Sequence, residues 1–328
     1  MAAGLSDPIL REELLDRRRR LQEASARSGE DAALTRLLQD VDEALRRFEA
    51  GTYGLCDVCD DTVEKDRLLA DPLLRTCLDH LNPGERRALE RDLDLASRVQ
   101  EVLLPAKDLD VGGWTSAFHY EPASVVSGDY CDLLAADGNG GDLYFLVGDV
   151  SGKGVAASLL MAGLRATVRT LIGAGLPVGA LMDRANRLFC ESTLPSHYAT
   201  LVLGRATPAG EVEIANAGHC PPILIRRDEV TPVGPTGMPL GIFCRGDYAV
   251  SRAALHPGDA ILLYTDGLSE ARNPSGLEYG AGRLHDLARR GHGQTPRSIL
   301  SSCLKDLAAF RAGAALGDDL TLLSIRRA

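Results

Sequence analysis

Two patterns of hydrophobic and polar residues divide the chain. From residue 8 to about residue 50, leucines recur at helical spacing in a highly charged sequence, and the break at Ser28-Gly29 predicts two helices that could form a hairpin. A further helix is predicted from Glu85 to Leu104, with apolar residues along one side and Pro105 after its end. Because this helix must cover its apolar side, we expect it to form a dimer contact or a signal-carrying linker.

After Gly112-Gly113 the apolar residues form short β-rich runs separated by glycine and proline. The predicted strands are 114–120, 130–135, 143–149, 198–205, 212–217, 223–226, 248–252, 261–264 and 320–325. The predicted helices are 155–172, 178–191 and 296–311. Because two helices follow one another between strands, the order differs from the alternation of a Rossmann fold. We therefore predict an α+β fold of mainly antiparallel sheets covered by helices.

The composition is that of a soluble globular protein, with 45% hydrophobic and 25% charged residues. The net charge of −10 argues against non-specific binding of nucleic acid. No apolar run approaches the roughly 20 residues that cross a bilayer, and the first residues lack a basic segment followed by a hydrophobic one. We therefore expect a cytosolic protein with no membrane partner.

Two residue pairs between positions 56 and 80 have the spacing of zinc ligands. Cys56 and Cys59 are separated by two residues, as are Cys77 and His80, so each pair can bind one side of a tetrahedral ion. Four protein ligands leave no open coordination position, so we expect one structural Zn²⁺ rather than a catalytic ion. The alternative is a set of free cysteines that happen to be close in sequence.

The remaining cysteines are scattered among apolar and turn residues. They are Cys131, Cys190, Cys220, Cys244 and Cys303. We expect all of them to be reduced, partly buried thiols. None has the phosphate-cradling loop closed by arginine that a cysteine phosphatase needs, which excludes that chemistry.

A short motif surrounds the cysteine pairs. Glu49-Ala50-Gly51-Thr52-Tyr53-Gly54 precedes the first pair, and Arg67-Leu68 lies between the pairs. With these residues, the segment from Ala50 to His80 resembles the DksA/TraR-type zinc finger, and His80 replaces the fourth cysteine of that family. The resemblance suggests RNA polymerase as a partner, but residues 20–40 lack the Asp-x-x-Asp-x-Ala tip through which DksA-type members act.

Four turns share one local pattern, an aspartate beside glycine or at the edge of a predicted strand. They are Gly128-Asp129 with nearby Asp132, Gly148-Asp149, Asp266-Gly267 and Gly317-Asp318-Asp319. Each could be an ordinary turn, but carboxylates from several strand ends can also converge at one end of a sandwich and bind cations. The turn after Gly148 does not fit a Walker loop. Three residues rather than four separate Gly148 from Gly152, and a glycine rather than serine or threonine follows Lys153. Lys153 has no assigned role.

Six motifs occur in a fixed order between residues 128 and 321. They are Gly128-Asp129-Tyr130-Cys131-Asp132, Gly148-Asp149-Val150-Ser151-Gly152-Lys153-Gly154, Asn216-Ala217-Gly218-His219, Pro239-Leu240-Gly241, Tyr264-Thr265-Asp266-Gly267 and Asp318-Asp319-Leu320-Thr321. With 100–105 at the end of the predicted helix, they resemble the SpoIIE/RsbU-type serine/threonine phosphatases of the metal-dependent protein phosphatase 2C superfamily. The resemblance covers about residues 93–325. It implies two antiparallel sheets sandwiched between helices and a site for two Mn²⁺ or Mg²⁺ ions.

The resemblance also implies roles for the acidic residues. Asp149 would bridge both ions, and the Val150 carbonyl could assist. The other implied catalytic and metal-binding residues are Asp129, Asp266 and Asp318, with Asp132 and Asp319 as further ligands or water-holding residues. A water molecule between the ions would attack phosphorus in line. The implied substrate is phosphoserine or phosphothreonine on an anti-anti-sigma-type protein.

His219 belongs to one of the six motifs, but a packing role is favoured over general acid chemistry because glycine and two prolines surround it. The first hypothesis is therefore a cytosolic phosphatase regulated by its N-terminal region. Its predicted domains are a helical region (1–50), a zinc finger (51–82), a linker helix that forms a homodimer (83–105) and a catalytic domain (106–328). The second hypothesis is a non-catalytic regulator that binds RNA polymerase or another partner through the finger and helices.

Overall fold

The computed structural model describes residues 8–28, 32–80, 83–106, 108–136, 141–193, 197–227 and 229–328. Gly29, in the predicted break between the first two helices, and Asn82, at the predicted end of the finger, lie outside these residues. The chain divides into two compact units, residues 1–92 and 93–328. Each unit has its own core.

The first unit combines a pair of helices with the cysteine-containing segment. Its helices are α1 (Pro8–Ser28), α2 (Ala32–Glu49) and α3 (Lys65–Ala70). Leu14 of α1 and Val41 of α2 are fully buried in one core together with Leu68 of α3. The side chains of Arg18 and Asp42 form an ion pair at 2.8 Å between α1 and α2. The two long helices therefore pack against each other, as a hairpin requires.

The helix α4 (Pro83–Leu103) crosses the boundary between the units, and two antiparallel sheets follow it. The strands are β1 (Asp108–Val111), β2 (Trp114–Glu121), β3 (Asp129–Ala135), β4 (Leu143–Val150), β5 (Ala199–Ala206), β6 (Glu211–Ala217), β7 (Ile223–Ile225), β8 (Val230–Pro232), β9 (Ser251–Ala254), β10 (Ala260–Tyr264) and β11 (Leu320–Arg327). The helices among them are α5 (Gly154–Ile172), α6 (Val178–Ser192), α7 (Asp266–Ser269), α8 (Ala281–Ala288) and α9 (Pro296–Arg311). The first sheet has the order β1-β2-β11-β10-β7-β8 and the second β3-β4-β5-β6-β9.

The two sheets face each other with helices outside both. Between the sheets lies a core that includes Trp114, Phe145 and Leu323. The outer face of the second sheet packs on α5 and α6, and that of the first sheet on α8 and α9. The predicted pair of antiparallel sheets between helices is thus confirmed.

The predicted strand at 248–252 begins later than expected. The pairing with β6 starts at Ser251, while the ring of Tyr248 turns inward and is buried in the core beside α6. A Cβ on Gly179 of α6 would lie 2.7 Å from the carbonyl oxygen of Tyr248, so the backbones approach closely there. This tertiary contact, rather than strand pairing, explains the apolar pattern at 248–250.

The helix α5 differs from the expectation that no apolar run approaches membrane-spanning length. Among the described residues, it is the one helix whose length and hydrophobicity would be sufficient to cross a membrane. Its inner face, including Met161, Leu164 and Val168, is buried against the second sheet. This is the arrangement of a core helix, and core helices can be as long and as apolar as membrane-spanning ones.

Cys190 at the end of α6 and Cys244 form a disulfide, with their Cα atoms 5.7 Å apart. The expectation that both are reduced thiols was therefore wrong. The sequence gives no sign of the pairing because 54 residues separate the two cysteines. Asn186, one turn before Cys190, brings them together, since its amide bonds the N–H of Gly241 at 3.0 Å and the carbonyl of Phe243 at 2.8 Å.

Candidate active site

Two of the predicted carboxylates lie opposite each other at one end of the second sheet. In the antiparallel pairing of β3 with β4, Asp129 faces Asp149. The glycine before each aspartate allows close contacts: a Cβ on Gly148 would lie 2.6 Å from the carbonyl oxygen of Thr200, and one on Gly128 would lie 2.9 Å from that of Val150. Both distances are too short for a Cβ atom, so only glycine fits at these two positions. The Gly-Asp pairs thus permit the strand ends, and the Val150 carbonyl, to come together.

Asp129 connects the two sheets. Its carboxylate is 2% exposed. Its Oδ2 accepts hydrogen bonds from the hydroxyls of Thr265, which follows β10, and Thr321, which lies in β11. Two donors on one oxygen leave Oδ1 as the atom that can bind an ion. The hydroxyls therefore orient a carboxylate that belongs to the second sheet from residues of the first.

The other two predicted carboxylates come from the facing ends of the first sheet. Asp266 begins α7, and Asp318 lies just before β11. Burial, followed by the charges of Asp266, Asp318 and Asp319, raises the pKa of Asp149 to about 7. Burial and the charge of Asp149 also raise the pKa of Asp129 well above its usual value. Together with the pairing of Asp129 opposite Asp149, these mutual effects indicate that the four aspartates lie near one another at this end of the sandwich.

Lys153 faces this group from the turn before α5. Its ammonium contacts Oδ2 of Asp318 at 3.0 Å and the carbonyl of Gly317 at 3.0 Å. The pKa of Lys153 is raised, chiefly by its hydrogen bond with Asp318. The lysine that had no role in the sequence analysis is therefore a counter-charge to the acidic site.

Asp319 holds the segment that leads into β3. Its Oδ1 accepts a hydrogen bond from the N–H of Ala123 at 2.7 Å, and its Oδ2 accepts one from the N–H of Gly128 at 2.9 Å. The backbone of Asp319 also requires a glycine at position 267, since a Cβ there would lie 2.0 Å from the Asp319 carbonyl oxygen. Asp319 thus acts on the position of Asp129 through the backbone.

Asp132 lies away from the other aspartates. Side chains alternate along β3, so Asp129 faces the first sheet and Asp132 faces the helices. Asp132 is 0% exposed, and its two oxygens accept hydrogen bonds from Arg169 of α5 at 2.6 and 2.7 Å. Tyr130 donates a further bond to it at 3.1 Å. This corrects the expectation that Asp132 is a further metal ligand or water-holding residue, because the ion pair holds it on the opposite face.

His219 is buried just after the end of β6 in the second sheet. The ring Nδ1 shares a hydrogen bond with the hydroxyl of Thr200 at 2.8 Å, and the backbone N–H of His219 donates to Oδ1 of Asn216 at 2.8 Å. Burial lowers the pKa of the imidazole to about 4. A neutral, hydrogen-bonded ring agrees with the packing role expected from the sequence.

The donor atoms of the acidic site fit divalent cations. Carboxylate and backbone carbonyl oxygens are the ligands that Mg²⁺ and Mn²⁺ prefer. Burial, followed by the charges of neighbouring carboxylates, raises the pKa of Asp149 and that of Asp266, and positive ions between the carboxylates would relieve the repulsion. The observed set of oxygens therefore suits a site for such ions.

A second possible metal site lies in the first unit. The ligand atoms of Cys56, Cys59, Cys77 and His80 all lie within 4.8 Å of one another. A bridge between Leu55 and Thr62 closes the turn that holds the first cysteine pair. Burial acts to raise the pKa of Cys56, but hydrogen bonds from the backbone of neighbouring residues outweigh it and lower that pKa to about 6. A hydrogen bond from the backbone of Asp61 acts to lower the pKa of Cys59, but burial and the bonds with Cys56 and Cys77 outweigh it and raise that pKa to about 11. A thiolate is the form that binds zinc, so Cys56 is the cysteine of this cluster whose lowered pKa favours that form.

Sequence reasoning missed the residues that orient the carboxylates. Thr265 and Thr321 stand inside two of the motifs, so their position was visible, but a threonine in a strand is more often a packing residue. Gln100, which bonds the backbone of Ser127, also lay inside a recognised motif. No local signal distinguishes these side chains from others of their kind.

Comparison with known proteins identifies relatives of this chain. The chain is 25% identical over 267 residues to protein IcfG of Synechocystis, which covers 72% of this chain and 41% of IcfG. It is 26% identical over 202 residues to the phosphoserine phosphatase RsbU of Bacillus subtilis, covering 59% of this chain and 58% of RsbU. The chain thus spans about half the length of these curated relatives.

A solved structure and a family model extend this similarity. The structure of the RsbU and RsbW domains of Rv1364c from Mycobacterium tuberculosis is 31% identical, with a TM-score of 0.56, and the match covers 68% of this chain and 62% of that one. The model of the family described as stage II sporulation protein E (SpoIIE) matches residues 139–328. That range contains three of the four converging aspartates and most of both sheets. The chain therefore belongs to the SpoIIE family.

Proposed function

We propose that this protein is a metal-dependent protein phosphatase that hydrolyses phosphoserine or phosphothreonine. The observation that carries the proposal is the convergence of Asp129, Asp149, Asp266 and Asp318 from both sheets. Membership of the SpoIIE family and the similarity to the phosphoserine phosphatase RsbU support the reaction class. The alternative of a scaffold without activity does not explain why four carboxylates are held close together at a cost in electrostatic free energy.

In this proposal the Asp149 carboxylate and the Val150 carbonyl would help to hold two Mn²⁺ or Mg²⁺ ions. Asp129, Asp266 and Asp318 supply the remaining protein oxygens. The ions would lower the pKa of a water molecule and neutralise charge on the phosphoryl oxygens. The protein's own residues hold the carboxylates, since Thr265 and Thr321 orient Asp129 and Asp319 fixes the segment before it. Lys153 is placed to offset negative charge at the rim.

The test is Mn²⁺-dependent hydrolysis of an aryl phosphate and of phosphoserine and phosphothreonine peptides. Asp149→Asn should lower the rate by more than about 100-fold, because even the loss of residues behind metal ligands costs 10–100-fold. Asp286→Asn, which alters an exposed ion pair with Arg289, is the matched control and should keep full activity. Equal activity of wild type and Asp149→Asn, or none in either with metal present, contradicts the assignment.

The finer details of the proposal concern regulation and partners. A phosphorylated anti-anti-sigma-type protein is the proposed substrate, because the six motifs resemble those of the SpoIIE/RsbU-type phosphatases. The cytoplasm is the proposed compartment, on the basis of the composition. We propose that Cys56, Cys59, Cys77 and His80 bind one structural Zn²⁺ in a DksA/TraR-like finger that regulates the phosphatase. A substrate trap with Asp149→Asn would identify the phosphoprotein. Capture of RNA polymerase instead would favour the alternative, a regulator that acts through the finger and helices.

A further inference from the structure

Gln100 is the one buried side chain in the part of α4 that belongs to the second unit. Residues 93–103 are all described, and the others are half-buried or exposed, with Val99 at 53% and Val102 at 82%. Gln100 itself is 5% exposed. Burying an amide costs free energy unless its polar ends are bonded, so a helix that only had to pack would present an apolar residue here. The buried position therefore depends on hydrogen bonds.

Both ends of the Gln100 carboxamide bond the backbone of Ser127. Nε2 donates to the Ser127 carbonyl at 2.7 Å, and Oε1 accepts from the Ser127 N–H at 2.9 Å. A groove of about 930 Å³ lies beside this contact, lined by α4, β2 and α9. Close packing is thus missing on that side of the helix end, and the two bonds fix both the position and the orientation of Ser127.

Ser127 in turn bonds the residues of the acidic site. Its hydroxyl oxygen accepts a hydrogen bond from the N–H of Asp129 at 2.9 Å. The next residue, Gly128, accepts a bond from the N–H of Val150 at 3.2 Å. The entry to β3 is therefore held by Gln100 on one side and by the end of β4 on another. A shift of Ser127 would move the carboxylate two residues later.

We propose that Gln100 is a positioning residue that sets where Asp129 meets a divalent ion. The proposal rests on the proposed function, because it takes Asp129 as a metal ligand. It assigns α4 a direct mechanical effect on the metal site, through a side chain that touches neither metal nor substrate. Displacement of the end of α4 then weakens metal binding without altering any ligand.

The test compares Gln100→Ala with Asn186→Ala in the full-length protein. Asn186 on α6 is the matched control because it is also a fully buried amide with two backbone partners. It accepts from the N–H of Gly241 and donates to the carbonyl of Phe243. Mn²⁺ affinity is measured by calorimetry, and amide hydrogen exchange is measured in metal-free protein. Gln100→Ala should weaken Mn²⁺ binding about tenfold or more and speed exchange at 127–129. Asn186→Ala should lose similar thermal stability with both properties unchanged.

A second variant separates the two bonds. Gln100→Glu keeps the acceptor for the Ser127 N–H but, when ionised, sets a carboxylate oxygen against the Ser127 carbonyl in place of the donor, so its Mn²⁺ affinity should fall at least as far as that of Gln100→Ala. A folded Gln100→Ala protein with Mn²⁺ affinity within about twofold of wild type overturns the proposal, even if exchange at 127–129 is faster. Absence of Mn²⁺ binding in the wild type refutes the metal site of the proposed function, and this inference with it.

Discussion

Thr321 on β11 donates a hydrogen bond to the Asp129 carboxylate on β3 at 2.5 Å, so a residue of one sheet sets the geometry of a carboxylate on the other. Thr265 bonds the same oxygen at 2.9 Å. Hydrogen bonds to an ionised carboxylate are shorter and stronger than neutral ones. The acidic site therefore depends on the two sheets keeping their relative position.

Replacement of Thr321 by valine tests this dependence. The variant keeps the shape of the side chain but removes the donor, so we expect about tenfold weaker Mn²⁺ binding and a loss of about 1–3 kcal/mol in the free energy of unfolding. Calorimetry and urea unfolding measure the two effects. Thr167→Val is the control, because the Thr167 hydroxyl bonds only a carbonyl of its own helix on the exposed side of α5. Unchanged Mn²⁺ affinity in Thr321→Val would contradict the orienting role.

His219 should make the protein less stable in mild acid. Burial lowers its pKa in the folded protein to about 4, from an ordinary value of 6.5. Between these values the unfolded chain takes up a proton that the folded protein does not, so stability is lost as the pH falls through this window. The contribution reaches about 3 kcal/mol when the difference in pKa is converted to free energy.

The comparison of His219→Asn with wild type isolates this effect. Urea unfolding at neutral pH and near the folded pKa should show a smaller acid loss in the variant. His285→Asn, on α8, serves as the control and should lose stability with acid as wild type does. An identical pH dependence for His219→Asn and wild type would show that other groups cause the loss.

The cysteine and histidine cluster should bind about one zinc ion per chain. Replacing Cys56 and Cys59 together by serine should abolish binding, and His80→Cys should retain it, because cysteine and histidine are both competent ligands. Metal analysis of freshly purified protein measures the content. Cys220→Ser, outside the cluster, is the control and should keep its zinc. Wild-type protein without zinc would refute the site.

Dimerisation through α4 remains a prediction with a defined surface. Leu95, Val99 and Val102 are 61%, 53% and 82% exposed and follow helical spacing, so a partner would bury them. Val99→Glu should convert a dimer to a monomer at micromolar concentration, as measured by analytical ultracentrifugation. Arg98→Glu controls for added negative charge and should remain dimeric. A monomeric wild type would contradict the prediction.

Regular elements could be predicted where the hydrophobic period is strong. The helix predicted at 296–311 is found at Pro296–Arg311. The strand predicted at 143–149 is found at Leu143–Val150, one residue longer. The short strand β8 and the helix α8 were missed, because three to eight residues give too few repeats to reveal a period. Secondary structure was thus readable where an element packs a long face on the core.

The acidic site could be predicted in part. The aspartates at 129, 149, 266 and 318 were recognised from motif order, and their role as metal ligands stays a prediction. The separation of Asp132 from them was not predicted, although the period of two along a strand places it on the face opposite Asp129. Arg169, its partner, lies 37 residues later on a helix, and only the tertiary structure pairs them. The Cys190–Cys244 disulfide was missed for the same reason.

The ion pair of Asp132 with Arg169 has a consequence for strand pairing. A slip of one residue in β3 would turn every side chain of the strand to the opposite face. Asp129 would then leave its threonines and face α5, while Asp132 would lose Arg169 and enter the apolar space between the sheets, where an unpaired charge is costly. The ion pair with Arg169 on α5 therefore stabilises the observed register of β3. From the far side of the sheet, it determines which carboxylate of β3 lies at the proposed metal site.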